Sequence, residues 1–404
     1  MSYIKKHLHI FVLLCFFFSI YSQKKQTDNF DESSLYSGLK FRNIGPAFMS
    51  GRIADIAINP SNENEWYVAV GSGGLWKTTN AGSTWSSLTD NESFFSTGSI
   101  TIDPSNSSTV WLGTGENVGG RHVGIGKGVY VSYNGGKKWI NKGLKKSEHI
   151  SKIIVDKDNS NTVFVAAQGP LWSSGGERGL FKTINGGDNW RNVLSVNEWT
   201  GVTDMVIDPR NKMIMYAATW QRHRNVAAYI GGGPGTSLYK SIDGGETWKK
   251  LLVGLPSGNM GKIGLAISLL NPDVLYAAIE LDRTKGAIYR SSDRGESWKK
   301  MSDTVSGGTG PHYYQELVAS PHYFDKIYLM DVRVQVSSDG GKTFSTMNES
   351  NKHSDNHSMT FKTSDPNYLL VGSDGGIYES YDDTKNWKFI NCRDDDFMLI
   401  KKNG

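Results

Sequence analysis

The sequence predicts an all-β chain: a seven-bladed β-propeller of four-stranded antiparallel blades, on three observations. An eight-residue segment recurs seven times, as TTNAGSTW ending at Trp85, SYNGGKKW at Trp139, TINGGDNW at Trp190, SIDGGETW at Trp248, SSDRGESW at Trp298, SSDGGKTF at Phe344 and SYDDTKNW at Trp387. Its third residue returns at intervals of 54, 51, 58, 50, 46 and 43 residues from Asn80 to Asp382, and periods of that size mark repeat architectures. Each period also holds four short strand-like runs separated by turn formers, as a radial array of small sheets requires.

The octet itself is a turn. Its Ser or Thr hydroxyl and its Asn or Asp side chain can accept N–H groups of their own loop, and glycine supplies positive φ. The terminal Trp is expected to anchor the turn between the strands it joins. No nucleophile and base are paired in it, so the octet reads as scaffold.

The fourth period shows the strands in order: GVTDMVIDP, MIMYAAT, SLYKSIDGGETW and KKLL. The first run is rich in small and apolar residues (53–58, 150–155, 203–207 and 263–267), as suits a strand crowded on both faces. It ends in turns such as Asn59-Pro60 and Asp208-Pro209. The second run mixes aromatics with Val, Leu and Ala (WYVAV, VWLGT, VFVAA), the third alternates, and the fourth starts at or just after the Trp. LKFRNIG, at 39–45, precedes the first inner strand and is expected to complete the last blade.

The 404 residues divide into a secretory signal over 1–22, a linker over 23–38, the propeller over 39–390 and a tail over 391–404. Lys5 and Lys6 before an apolar run give the signal, which is too short to span a bilayer and makes the chain secreted, periplasmic or surface-exposed. Cys15 lies inside that run, so Cys392 is the one cysteine of the mature chain and no disulfide is expected within it. The formal charge of +4, two units of it from the signal lysines, gives no reason to expect a nucleic-acid partner, and none is expected in the membrane after cleavage. No cofactor and no metal is expected. His353 and His357 have a helical metal spacing, but on a loop and a strand.

By sequence and spacing, the octets resemble the BNR or Asp-box repeats of sialidases, the sortilin/Vps10 luminal domain and family 74 xyloglucanases. From FRNIGPAFMSGRIADIAINP onward the sequence is most similar to secreted bacterial proteins of the sortilin/Vps10-like, BNR-repeat glycosyl hydrolase kind. The resemblance implies an extracellular ligand-binding propeller for a glycan or peptide, with glycoside hydrolysis through a carboxylate pair as the alternative. It also implies further C-terminal domains following this chain. In the xyloglucanases a catalytic Asp stands in blade one just before a Gly-Gly pair. Gly71 takes that place here.

Strand polarity places a site. Inner strands start, and second strands end, at the rim opposite the octets, so side chains there face a ligand. Arg52, Glu116, Arg121, His122, Trp220, Arg222, Tyr314 and His357 are the expected ligand contacts, and Glu316, Asp355 and Asp374 the expected catalytic carboxylates, grouped with Arg52 at one side of the channel mouth. Long insertions in blades two to five (GENVGGRHVGIGK, QGPLWSSGGER and WQRHRNVAAYIGGGPGT among them) should raise one side of that rim and leave a groove.

Overall fold

The computed structural model describes residues 51–120, 123–282, 284–304 and 316–390. They form seven four-stranded sheets in which each strand pairs antiparallel with the next. The inner strands are Ile53–Asn59, Thr97–Asp103, Ile150–Asp156, Thr200–Ile207, Ile263–Ile267, Leu317–Ala319 and Asn356–Phe361. Those of blades one, three and five start at the residue where the apolar run starts, while that of blade four begins at Thr200 rather than Thr203. A two-stranded ribbon, His223–Arg224 with Tyr229–Ile230, rises from blade four.

The core is seven layers, one between each pair of neighbouring blades. Tyr67, Ala69 and Leu75 of blade one meet Ile100, Val110 and Leu112 of blade two, and the pattern repeats around the ring. The last layer joins Ile53, Trp66 and Val68 of blade one to Tyr368, Leu370 and Ile377 of blade seven, so the ring closes. Blade seven draws four strands from residues 356–389 alone. The segment 39–45, expected to complete it, lies outside the described residues, as do the signal, the linker, Cys392 and the tail.

The octets fold as their residues dictate. In blade four Ser241 Oγ accepts Gly245 N–H at 2.9 Å, and Asp243 Oδ1 accepts Thr247 N–H at 3.0 Å. Several terminal indoles do more than anchor their own turn. Trp139 Nε1 donates to Leu88 O at 3.1 Å, Trp190 Nε1 to Lys142 O at 2.6 Å and Trp387 Nε1 to Asn348 O at 2.7 Å, in each case reaching the preceding blade. Those octets therefore stitch blades together.

Loop lengths follow expectation with one correction. Blades two, three and four carry long connections from second to third strand, but blade five has a tight hairpin, because its second strand extends to Asp282 and its third resumes at Lys285. The raised side of the rim is thus formed, among these connections, by blades two to four.

Candidate functional site at the channel mouth

Every blade presents the same pair of positions at the mouth: the residue just before the inner strand, whose carbonyl accepts the N–H of a residue at the end of the second strand. Around the ring these bonds run from Gly71 to Arg52 (2.9 Å), Gly115 to Ser96 (3.0 Å), Gln168 to His149 (2.9 Å), Arg222 to Trp199 (3.2 Å), Glu280 to Lys262 (3.0 Å), Met330 to Glu316 (2.8 Å) and Asp374 to Asp355 (3.0 Å). Antiparallel pairing extended by one rung fixes the backbone, and the side chains are left to differ.

Where the low side meets the raised one, blades seven, one and two bring four of the expected residues together. Arg52 Nε lies 3.5 Å from Glu116 Oε1 and 3.8 Å from Asp374 Oδ1. His357 Nε2 meets Asp374 Oδ1 at 2.8 Å. One nitrogen within reach of both oxygens holds those oxygens no more than about 7.3 Å apart, a ceiling below the widest separation used by glycosidases. Gly124 N–H donates to the other Glu116 oxygen at 2.7 Å, closing the blade-two loop on its own carboxylate.

The two carboxyls differ in environment. Glu116 is 3% exposed, and burial pushes its pKa up against the opposing pull of Arg52 and the Gly124 N–H. Burial also opposes ionisation of Asp374, but the His357 hydrogen bond and charge, then Arg52 and His353, outweigh it and hold the pKa below its ordinary value. The Asp374 side chain is 38% exposed, so it is the open member of the pair.

Two glycines make this packing possible. A Cβ on Gly71 would lie 2.3 Å from Glu116 Oε1, so the Glu116 carboxyl occupies the space a residue-71 side chain would take. Gly115, at φ +82°, brings the chain so close to blade three that a Cβ would sit 1.8 Å from Glu148 O. On the other flank, Asn356 Nδ2 donates to Asp331 O (3.2 Å), Val332 O (3.1 Å) and Glu349 Oε1 (3.0 Å), and buried Lys352 reaches both Glu349 and Asn356. That network sets the strand entry from which His357 projects.

Other expected residues are placed differently. Glu316 joins a separate ion pair, Lys262 Nζ to Glu316 Oε1 at 2.5 Å, on blades five and six. Asp355 holds left-handed backbone at φ +61°, its carboxylate bonded by Ser354 Oγ at 3.1 Å and its carbonyl by Asp374 N–H. Trp220 is 1% exposed and donates to Gly231 O at 2.8 Å, and Arg222 is fully buried; both lie beneath the loops rather than on the rim surface. Trp172, on the blade-three loop, is 53% exposed. Arg121, His122 and Tyr314 lie outside the described residues.

Sequence reasoning missed Lys262, although it stands immediately before an inner strand in the register of Arg52. It also missed the channel carboxylates. Asp55 Oδ2 accepts Ile100 N–H at 2.9 Å and Asp204 Oδ2 accepts Leu265 N–H at 3.0 Å, each strapping one inner strand to the next. Burial pushes both acids up, against the charge of Lys152. Lys152 is open to the lumen yet ringed by protein, and these groups line a cavity of about 110 Å³ together with Lys262, Glu316 and His357. Asp55 and Asp204 alternate with apolar neighbours and look like ordinary inner-strand residues, so no spacing marks them. Among the described residues no group of three His, Cys, Asp or Glu is placed to hold a metal ion, and no helix is long and apolar enough to cross a membrane.

Residues 286–402 match the model of the Sortilin-Vps10 family (sortilin, neurotensin receptor 3). The chain is 23% identical over 212 residues to a probable oligoxyloglucan-reducing end-specific xyloglucanase of Neosartorya fischeri and 26% identical over 231 residues to a xyloglucanase of Hypocrea jecorina. Each match covers half of this chain but only about a quarter of the relative, 24% and 26% respectively. The crystal structure of the family 74 xyloglucanase of Xanthomonas campestris superposes with a TM-score of 0.63 at 15% identity, over 87% of this chain and 56% of the other. Fold and likenesses together fit a BNR-type β-propeller distantly related to the family 74 xyloglucanases.

Proposed function

We propose that the channel mouth binds an extracellular polysaccharide of the β-glucan class and hydrolyses it, with Glu116 as proton donor and Asp374 as base or nucleophile. The carrying observation is the carboxyl pair gathered by Arg52, within about 7.3 Å and pushed apart in acidity. Glycoside hydrolysis needs one carboxyl that keeps its proton near neutral pH and one that does not. Glu116 would protonate the leaving oxygen. Asp374, oriented by His357 and open on one side, would activate water or attack the anomeric carbon. Exposed Trp172 offers a stacking face on the raised side of the groove. The xyloglucanase names of the matched relatives point to the same substrate class, and the signal read in residues 1–22 fits an extracellular setting.

A second reading, binding of a glycan or peptide without turnover, is favoured by the burial of Glu116 and by the guanidinium that neutralises both carboxylates. The test is an array of β-glucans and peptides read for both binding and reducing-end release, repeated with Glu116→Gln and Asp374→Asn. A hydrolase loses at least about a thousandfold in turnover while still binding substrate. Binding without release in the parent protein and both variants sinks the hydrolytic reading.

A further inference from the structure

We propose that Arg222 is a positioning residue for Glu116, clamping the blade-two segment 117–119 from across the rim together with Gln168 and Arg224. The inference rests on the reading of Glu116 as the proton donor, but its geometry stands apart from any reaction. Three consecutive carbonyls of that segment turn toward blades three and four, and donors meet them in chain order: Gln168 Nε2 donates to Asn117 O at 3.2 Å, Arg222 Nη1 to Val118 O at 2.8 Å and Arg224 Nη2 to Gly119 O at 3.2 Å. Two of the three donors, Gln168 and Arg222, belong to the repeated rim pairs of blades three and four.

Arg222 stands out because its burial is so poorly compensated. It is fully buried, its guanidinium lies 5.0 Å from the Trp220 ring, and its Nε and Nη2 meet no acceptor among the described residues. Burial pulls its pKa down to about 10. Stability alone favours an apolar side chain in such a place. What the guanidinium supplies, and an apolar group cannot, is a directed donor to Val118 O. Glu116 sits two residues upstream, its own carboxyl bound to Gly124 at the far end of the same loop, so holding 117–119 holds one end of the loop that closes on Glu116.

The test uses the full chain with ¹³C-labelled glutamate, the Glu116 signal being identified with Glu116→Gln, and hydrogen exchange over 115–128. Arg222→Met is expected to lower the Glu116 pKa by about one unit and to speed exchange at 117–124 by about tenfold. The direction is diagnostic: losing a nearby cation would raise a carboxyl pKa, whereas exposing the carboxyl to water lowers it. Arg222→Lys, which keeps a donor, should restore most of both signals.

Arg290→Met is the control. Arg290 lies on blade five, pairs with Asp325 of blade six at 3.0 Å and touches none of the clamp residues, so its loss should leave Glu116 unmoved. If Arg222→Met is folded and both readouts match the parent, or if Arg290→Met moves them equally, the clamp is wrong. Should Arg222→Met not fold, Gln168→Met takes its place: the same two shifts support the clamp and their absence overturns it. None of these signals requires turnover, so a parent protein without hydrolase activity overturns the proposed function and leaves the clamp to be judged on its own data.

Discussion

Glu63 is the clasp of the ring. It sits at the start of the second strand of blade one, and its Oε1 accepts Thr363 N–H (2.7 Å), Thr363 Oγ1 (2.8 Å) and Ser364 N–H (3.1 Å) from blade seven, while Oε2 accepts the Ser364 hydroxyl. Burial opposes its ionisation more than any one donor favours it, but the Ser364 and Thr363 donors together outweigh that and hold its pKa at about 2. Read as a free energy, a fall from 4.5 to about 2 has a ceiling of roughly 3 kcal/mol. The carboxylate is partly open to solvent, and screening reduces the expected contribution to roughly 1 to 2 kcal/mol. Because the folded pKa is depressed, this stabilisation is complete above the unfolded value and is lost as pH falls through the folded one. Urea unfolding of the parent and Glu63→Ala should therefore differ by that amount at pH 7, with the gap closing between about pH 5 and pH 2. A gap that stays constant with pH would show that packing rather than charge holds the seam. No gap at pH 7 would show that the four donors contribute nothing.

Three further outcomes are expected. Trp139→Ala removes a buried indole that reaches the preceding blade and should lower stability by about 3 to 5 kcal/mol in urea melts, whereas Trp248→Ala, half-buried and bonded within its own octet, should lower it by less than about half as much. Lys352→Met strips the partner from a buried Glu349 and should lower stability by roughly 3 kcal/mol, recovered in part by the double variant with Glu349→Gln. Gly71→Ala places a carbon where the Glu116 carboxyl now lies, so ligand binding or turnover should fall at least about tenfold with little change in thermal midpoint.

The blades were legible because their signals are local: the octet closes through hydroxyl and carboxylate within five residues, and inner strands announce themselves by apolar density. The rim was legible from polarity alone, which puts Arg52, Glu116, His357 and Asp374 at one face without any knowledge of their contacts. What polarity does not carry is rotation around the ring. Glu316 shares its face with Asp374 but belongs to blade six, and Lys262, from blade five, claims it. Nor does sequence show depth: Trp220 and Arg222 occupy rim positions and are covered by the loop of their own blade and that of blade two, the latter through a contact more than 100 residues apart.

The rung that joins the two rim positions of each blade uses only backbone atoms, so its geometry is indifferent to the side chains it displays. The mouth can then be written as a circular word of seven two-letter syllables: Arg-Gly, Ser-Gly, His-Gln, Trp-Arg, Lys-Glu, Glu-Met and Asp-Asp. Each syllable can be respelled without rewriting its neighbours' backbone, and what a blade spells matters only beside the syllables flanking it. Rotating the word by whole blades, by circular permutation at the links between them, should leave its meaning intact, while exchanging two syllables across the ring should change what the mouth holds.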